Sequence, residues 1–210
     1  MALTTSSSPK NIPASSHDER ILVVPRSDLF FEGAWHGIKE VDFDAYLDTI
    51  AQHKQFLWRS VMEEDPTYKQ IIPYLIFQYQ DRFFLMQRRP NASAKALQNK
   101  FSLGIGGHIR QEDMTNGSLF SWAEREFHEE VSYQGSLTIK PIGIINDDTN
   151  AVGQVHLGFA MLLVGDSSDI TIKDEHKSGV LVALDECATF YDSMETWSKF
   201  IVDILKVKTS

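Results

Sequence analysis

The feature that most constrains this chain is an acidic segment near its middle, residues 125–131, with the sequence Arg-Glu-Phe-His-Glu-Glu-Val. Apolar residues recur every four positions here, which predicts a helix with one face in a core: Ala123, Phe127 and Val131. Three carboxylates share another face, where like charges repel: Glu126, Glu129 and Glu130. Since Arg125 is their only local counter-charge, we expect a divalent cation with oxygen ligands, such as Mg²⁺, to supply the missing positive charge.

A glycine pair and a further acid precede this helix. Gly106 and Gly107 allow the backbone to approach a ligand closely, and Asp113 follows after five residues. Together with the helix, this order resembles the Nudix box: a glycine, five residues, an acid, seven residues, then Arg-Glu-apolar-any-Glu-Glu-any-Gly. This chain has Asp113 where the family has Glu and Ser132 at the last glycine. Eleven residues separate Asp113 from Arg125, so the loop 114–118 carries an insertion of about one helical turn.

The resemblance implies an α/β/α sandwich with a mixed sheet, covering roughly residues 70–207. It also implies a Mg²⁺-dependent hydrolase, with Mn²⁺ as a possible substitute, that cleaves a diphosphate linkage in a nucleoside diphosphate derivative or a related small phosphorylated molecule. The implied metal ligands are the carbonyl of Gly107 and the carboxylates of Glu126, Glu129 and Glu130. Arg125 would orient the glutamates, with Asp113 as its candidate partner. The alternative is a Nudix-fold module that binds a nucleotide without turning it over.

Further candidates lie outside the box. In the family, a strand ending like Arg88-Arg89 lies near the substrate, so either arginine could reach a phosphate or form a surface ion pair. His108, after the glycine pair, could donate to a phosphate or cap the loop. A late acid often completes the family's site; Glu175 matches that place best, with Asp174 second. One of the glutamates, or Glu175, would be the general base.

Composition narrows the partners. A net charge of −9 argues against nucleic-acid polymers but not against small phosphorylated substrates, whose charge a metal ion offsets. The one cysteine, Cys187, excludes an internal disulfide framework and is expected to be a buried small hydrophobe. No apolar run reaches the roughly 18 residues that span a bilayer, and residues 1–16 lack the apolar region of a secretory signal. We therefore expect a cytoplasmic protein without membrane partners; a homodimer is a family-level expectation.

The chain divides into three predicted parts. Residues 1–18 are rich in Ser, Thr and Pro and are predicted to be disordered. Residues 19–69 are an α/β extension packed on the core, with a strand at 21–24 and a helix capped by Asp42. Residues 70–210 form the Nudix-like domain, in which the spacing predicts a last helix capped by Asp192, with Glu195 completing a capping box.

Several polar residues are interpreted as structural, with no predicted role in catalysis. Asp147 and Asp148 are predicted to form a turn, and His156, inside an apolar strand, is predicted to be hydrogen-bonded in the core or to face a cleft. His128 is expected to face solvent. The aromatic residues Trp35, Trp58 and Tyr74 could stack on a base or fill the core, and the pattern does not separate these options.

Overall fold

The computed structural model describes residues 18–88, 99–115, 119–173 and 176–209. Its strands, in chain order, are β1 (Arg20–Pro25), β2 (Gly37–Lys39), β3 (Gln55–Trp58), β4 (Tyr68–Tyr79), β5 (Arg82–Arg88), β6 (Phe101–Ser102), β7 (Gly104–Gly106), β8 (Val131–Tyr133), β9 (Leu137–Asn146), β10 (His156–Gly165), β11 (Ile170–Ile172) and β12 (His176–Ala183). Its α-helices are α1 (Arg26–Leu29), α2 (Phe43–His53), α3 (Arg59–Met62), α4 (Leu119–Glu130), α5 (Ala151–Val155), α6 (Leu184–Cys187) and α7 (Thr196–Thr209).

Within the described residues, ten strands form one mixed sheet whose main path runs β12-β5-β4-β10-β9-β2. Strand β4 lies at its centre and pairs in parallel with β10, from Gln70 opposite His156 to Gln78 opposite Val164. The remaining pairings along this path are antiparallel. Strand β7, which ends at the glycine pair, lies antiparallel to β4, so the loop after it emerges beside the N-terminal ends of β4 and β10.

Both faces of the sheet are covered, because neighbouring residues of β4 enter two different cores. Ile71, Leu75 and Phe77 join one cluster with side chains of α2 and α4. Tyr74 and Ile76 join a second cluster with side chains of α6 and α7. This is an α/β/α sandwich, as predicted.

The last helix differs from its prediction. It begins at Thr196, and Asp192 lies in a 3₁₀ helix, Ala188–Ser193, so Asp192 does not cap it. Glu195 is buried, and its carboxylate accepts hydrogen bonds from Tyr74 Oη and Ser102 Oγ, both at 2.6 Å. These buried hydroxyls come from other strands, which sequence-local capping rules do not consider. Tyr74 therefore fills the core, one of its two predicted uses.

The segment before β4 is built into the same sheet. Strand β1 pairs with β3 and with the start of β4, and β2 pairs with β9. Helix α2 is capped as expected, because the Asp42 carboxylate accepts from the backbone nitrogens of Asp44 and Ala45. The boundary placed at 69/70 falls inside β4, which begins at Tyr68. The division into parts stays a prediction, and residues 1–17 lie outside the described residues. None of the helices in the described ranges combines the length and the hydrophobicity of a membrane-spanning segment.

Candidate metal centre and active site

The centre of the candidate site is the contact between Gly107 and Glu126. Helix α4 packs Trp122, Ala123 and Phe127 into the core, which brings Glu126 against the loop after β7. A Cβ atom placed on Gly107 would lie 1.8 Å from the Glu126 Oε1 atom. A side chain at position 107 would force this carboxylate to move, so Gly107 and Glu126 together form one cradle.

Glu126 is an unusual carboxylate because it is buried beside other acids. Its residue is 9% exposed, and burial raises its pKa to about 7, with further upward contributions from the charges of Glu129 and Glu130. Arg125 and Arg110 act in the opposite direction but do not offset this rise. A bound cation would favour the ionised form. The residues present therefore fit the divalent ion expected from the sequence.

Arg125 is held by two acids. Its guanidinium forms ion pairs with Asp113, at 2.9 Å, and with Glu129, one turn along the helix. The Asp113 carboxylate also accepts hydrogen bonds from the Arg110 backbone nitrogen and the Trp122 indole, both at 3.0 Å. The predicted pairing of Arg125 with Asp113 is thus present. Three groups hold the Asp113 carboxylate in place despite the longer loop: Arg125, the Arg110 backbone nitrogen and the Trp122 indole.

The three glutamates are not drawn together into a tight cluster. A group of His, Cys, Asp and Glu side chains whose ligand atoms all lie within 4.8 Å of one another occurs in the described residues at Glu63, His108 and His156. Glu126, Glu129 and Glu130 together do not meet this spacing. Glu129 is turned towards Arg125. Holding one ion with all three carboxylates therefore requires side-chain movement.

Comparison with known proteins identifies the family. No model of a protein family matches the sequence. Protein YmaB of Bacillus subtilis (strain 168) is 33% identical over 209 residues, which cover 90% of this chain and 98% of YmaB. The crystal structure of Tm1382, described as a putative Nudix hydrolase, is 35% identical with a TM-score of 0.77, covering 89% of this chain and 98% of Tm1382.

The chain belongs to the Nudix hydrolase superfamily. A more distant structure supports the fold alone: the Nudix domain of Shewanella oneidensis NrtR, complexed with ADP ribose, is 12% identical with a TM-score of 0.54. It covers 68% of this chain and 89% of the NrtR domain.

The end of the variant Nudix box lies where helix α4 meets strand β8. Helix α4 ends at Glu130 and the chain passes directly into β8, where Ser132 pairs with Thr171 of β11. The position of the family's last glycine is therefore extended backbone, which serine adopts without strain. Of the longer loop, residues 116–118 lie outside the described residues.

Two of the predicted site residues outside the box, Arg89 and Glu175, lie outside the described residues, as does Asp174. Arg88 ends β5, and its Nε lies 3.5 Å from a Glu195 carboxylate oxygen. His108 points its Nε2 at Gln70 Oε1, 2.7 Å away, and at His156 Nε2, 3.2 Å away. His156 is buried and hydrogen-bonded, while His128 is half-buried. The roles of Arg88 and His108 in substrate binding stay predictions.

Sequence reasoning missed a second charged centre. Asp148, interpreted only as a turn residue, accepts from both terminal nitrogens of Arg26, from Lys69 Nζ at 2.9 Å and from Asn146 Nδ2 at 3.0 Å. Asp147 does serve the turn, since its carboxylate accepts from the Thr149 backbone nitrogen. The available signal was Lys69: a lysine entering a long apolar strand needs a buried acceptor.

Proposed function

We propose that this protein is a Mg²⁺-dependent Nudix hydrolase that cleaves a diphosphate linkage in a nucleoside diphosphate derivative or a related small phosphorylated molecule, with Mn²⁺ able to replace Mg²⁺. The observation that carries the proposal is the Glu126 carboxylate seated on Gly107, with its pKa raised to about 7 by burial and by Glu129 and Glu130. Such a carboxylate is costly for the fold unless a cation compensates its charge. A solvated acidic helix face would not show this.

The proposed ligands are the Gly107 carbonyl and the carboxylates of Glu126, Glu129 and Glu130. Bound Mg²⁺ would neutralise phosphoryl oxygens and lower the pKa of a coordinated water. Asp113 holds Arg125, and Arg125 in turn holds Glu129 at the edge of the site. Arg125 is thus a positioning residue, which keeps Glu129 ready to exchange its arginine partner for the ion.

The reaction needs little covalent work from the protein. The oxygen of water attacks one phosphorus, the bond from that phosphorus to the bridging oxygen breaks, and the second phosphate leaves with the bridging oxygen. The proton of the water passes to a carboxylate, for which one of the box glutamates or Glu175 is proposed. Arg88, Arg89 and His108 are proposed phosphate contacts. Cytoplasmic location and a homodimer are carried forward as predictions from the sequence.

A second candidate is a nucleotide-binding module without turnover. The observation that favours it is the engagement of Glu129 by Arg125, which leaves the three glutamates wider apart than a preformed ion site. The Nudix domain of NrtR was crystallised with ADP ribose, which makes that ligand a sensible probe. A pure binder would have no use for three acids on one helix edge, and we therefore rank it second.

The test is a hydrolysis panel. Nucleoside triphosphates, dinucleotide polyphosphates, ADP-sugars including ADP ribose, and NADH are incubated with the protein and Mg²⁺ or Mn²⁺, and released phosphate-containing products are measured. We expect metal-dependent cleavage of at least one class. Glu126→Gln and Glu130→Gln should each lower the rate by more than about 100-fold, since even outer partners of metal ligands cost about 10- to 100-fold.

Glu124→Gln is the matched control, because Glu124 lies on the same helix but is exposed. It should keep the activity of the unchanged protein. If the Glu126 and Glu130 variants were as active as the unchanged protein, the ligand assignment would be wrong. Tight ADP-ribose binding with no product over the whole panel would favour the binding module instead.

A further inference from the structure

A second cluster of side chains with metal-binding atoms consists of Glu63, His108 and His156, whose ligand atoms all lie within 4.8 Å of one another. The three residues come from distant parts of the chain: the residue after α3, the loop after β7 and the first residue of β10. Gln70 of β4 organises them. It registers with His156, its Oε1 lies 2.7 Å from His108 Nε2, and its Nε2 donates to the carbonyl of Met62, beside Glu63.

The proton on His156 is placed by its surroundings. His156 Nδ1 lies 2.7 Å from the carbonyl oxygen of Val152, an acceptor, so Nδ1 carries the hydrogen. The other nitrogen, Nε2, then presents a lone pair. Metal-binding histidines are held in this way, with one ring nitrogen donating to a carbonyl and the other free to bind.

His108 Nε2 faces this lone pair at 3.2 Å. Two imidazole nitrogens bound to one tetrahedral ion at about 2.0–2.1 Å are roughly 3.3 Å apart, so the observed spacing fits a shared ion. A competing arrangement keeps a hydrogen on His108 Nε2 and shares it between Gln70 Oε1 and His156 Nε2. That arrangement makes the cluster a purely structural hydrogen-bond network, and the two possibilities differ in whether the site takes up a metal.

The charges around the rings have opposite signs. Burial lowers the pKa of His156, so this ring is neutral at neutral pH, which is the form that binds metals. Arg59, Arg110 and Lys69 are the cations whose charges act on the two rings. Lys69 is paired with Asp148. Glu19 lies 3.5 Å from Arg59 and 3.1 Å from Arg110, so both arginines keep a counter-charge if Glu63 leaves Arg59.

We propose that Glu63, His108 and His156 form a binding site for a transition-metal ion of the Zn²⁺ class, separate from the box glutamates. Two imidazoles and one carboxylate suit Zn²⁺, whereas Mg²⁺ prefers oxygen ligands. The amide oxygen of the buried Gln70 is within reach as a further ligand.

Such an ion would connect two parts of the chain. Glu63 belongs to the segment before β4, while His108 directly follows Gly107, on which Glu126 rests. Zn²⁺ would fasten the early segment to the loop that supports the candidate catalytic centre. The ion would therefore stabilise the fold and fix that loop. His108 would bind this ion instead of a substrate phosphate, so the site would take no part in the proposed hydrolysis.

The test uses the full chain carrying Glu126→Gln and Glu130→Gln, which removes the proposed Mg²⁺ ligands and makes the outcome independent of the proposed hydrolysis. The protein is stripped with a chelator and titrated with Zn²⁺ in competition with a chromophoric chelator. Co²⁺ is then added as a spectroscopic probe of nitrogen coordination. We expect about one equivalent of Zn²⁺, Co²⁺ absorption bands in the visible range, and a higher melting temperature with Zn²⁺.

Single changes then locate the site. Glu63→Gln and His156→Gln should each weaken Zn²⁺ binding by about 10-fold or more. Glu63 is on the surface, with a side chain 39% exposed, so its variant is expected to fold normally even if the His156 variant does not. His53→Gln is the matched control: this half-exposed histidine also pairs with an acid, Asp28, and its loss should leave affinity unchanged.

Three outcomes would overturn the proposal. One is the absence of stoichiometric Zn²⁺ uptake by the double variant. Another is uptake that Glu63→Gln leaves unaltered. The third is uptake by the unchanged chain that disappears in the double variant, which would place the ion at the box glutamates.

Discussion

Two acidic centres in the described part of the chain place their carboxylates in opposite electrostatic surroundings. At Asp148 the carboxylate meets Arg26, Lys69 and Asn146, and these partners hold its pKa well below the ordinary value despite some burial. At Glu126 burial and two neighbouring acids raise the pKa to about 7. The first centre is complete within the protein. At the second, Arg125 and Arg110 do not offset the effect of burial and of the neighbouring acids, which is how a site prepared for an external cation differs from a structural ion pair.

The largest expected effect comes from breaking the complete centre with Asp148→Asn. Lys69, which is 0% exposed, would lose its counter-charge. Removing one partner of a buried pair costs about 3–5 kcal/mol of unfolding free energy, and because Asp148 itself is 33% exposed we expect the lower end, about 3 kcal/mol. Chemical denaturation at neutral pH measures this loss. Asp192→Asn, an exposed acid, is the control and should change stability by less than about 0.5 kcal/mol.

The same variant has a defined pH dependence. Because the pKa of Asp148 is lowered in the folded state, its stabilisation is complete above the unfolded value of 3.8 and is lost as the pH falls below it. The stability difference between the two proteins should therefore shrink in acid. A stability difference that stays constant with pH, or a variant as stable as the unchanged chain, would show that Asp148 is not a stabilising ion-pair centre.

The second effect concerns the incomplete centre and its missing cation. Mg²⁺ at about 100 times its Kd should stabilise the unchanged protein by about 2.7 kcal/mol, since it binds the folded state. A protein with both Glu126→Gln and Glu130→Gln should gain little. Thermal unfolding with and without Mg²⁺ gives the answer, and Asp148→Asn should retain the full gain. An equal Mg²⁺ effect in the double variant would place the ion elsewhere.

A smaller effect is the cost to folding of the Glu126 charge when no metal is bound. In the absence of metal, its ionisation opposes folding: stability falls as the pH rises from 4.5 towards about 7. Glu126→Gln should therefore stabilise the metal-free protein at about pH 8. Converting the full rise in pKa gives about 3 kcal/mol, and solvent screening reduces the expected gain to about 1–2 kcal/mol.

When Mg²⁺ is added, the unchanged protein should become more stable than Glu126→Gln, because the variant lacks a ligand for the ion. Near pH 4.5, where the folded-state carboxyl is protonated, the metal-free proteins should have equal stability. A variant that is less stable than the unchanged chain at every pH would show that Glu126 already has its full complement of partners.

The sequence indicated one centre and missed the other, for a physical reason. The box residues lie within one helix and the loop before it, so spacing alone brings Glu126, Glu129 and Glu130 to one edge. Asp148, Lys69 and Arg26 meet through β4, α1 and the loop after β9, and no local rule gives that register. The sandwich was predictable because β4 is apolar throughout most of its length. The start of α7 was not, because buried hydroxyls claim Glu195.

The smallest expected effect is the loss of an exposed ion pair, which gives a reference for the three larger stability changes. Glu40 pairs with Lys208 at 2.9 Å, but the two side chains are 61% and 46% exposed. An exposed pair gains little, because water screens both charges and the long side chains lose freedom, so Glu40→Gln should cost less than about 0.5 kcal/mol. Denaturation at low and high salt measures this. Asp148 has two charged partners, one of them fully buried, whereas this pair gives Glu40 one exposed partner. If the loss instead matched that of Asp148→Asn, neither burial nor the number of charged partners would set the strength of an ion pair in this fold. The contrast between the two centres would then lose its physical basis.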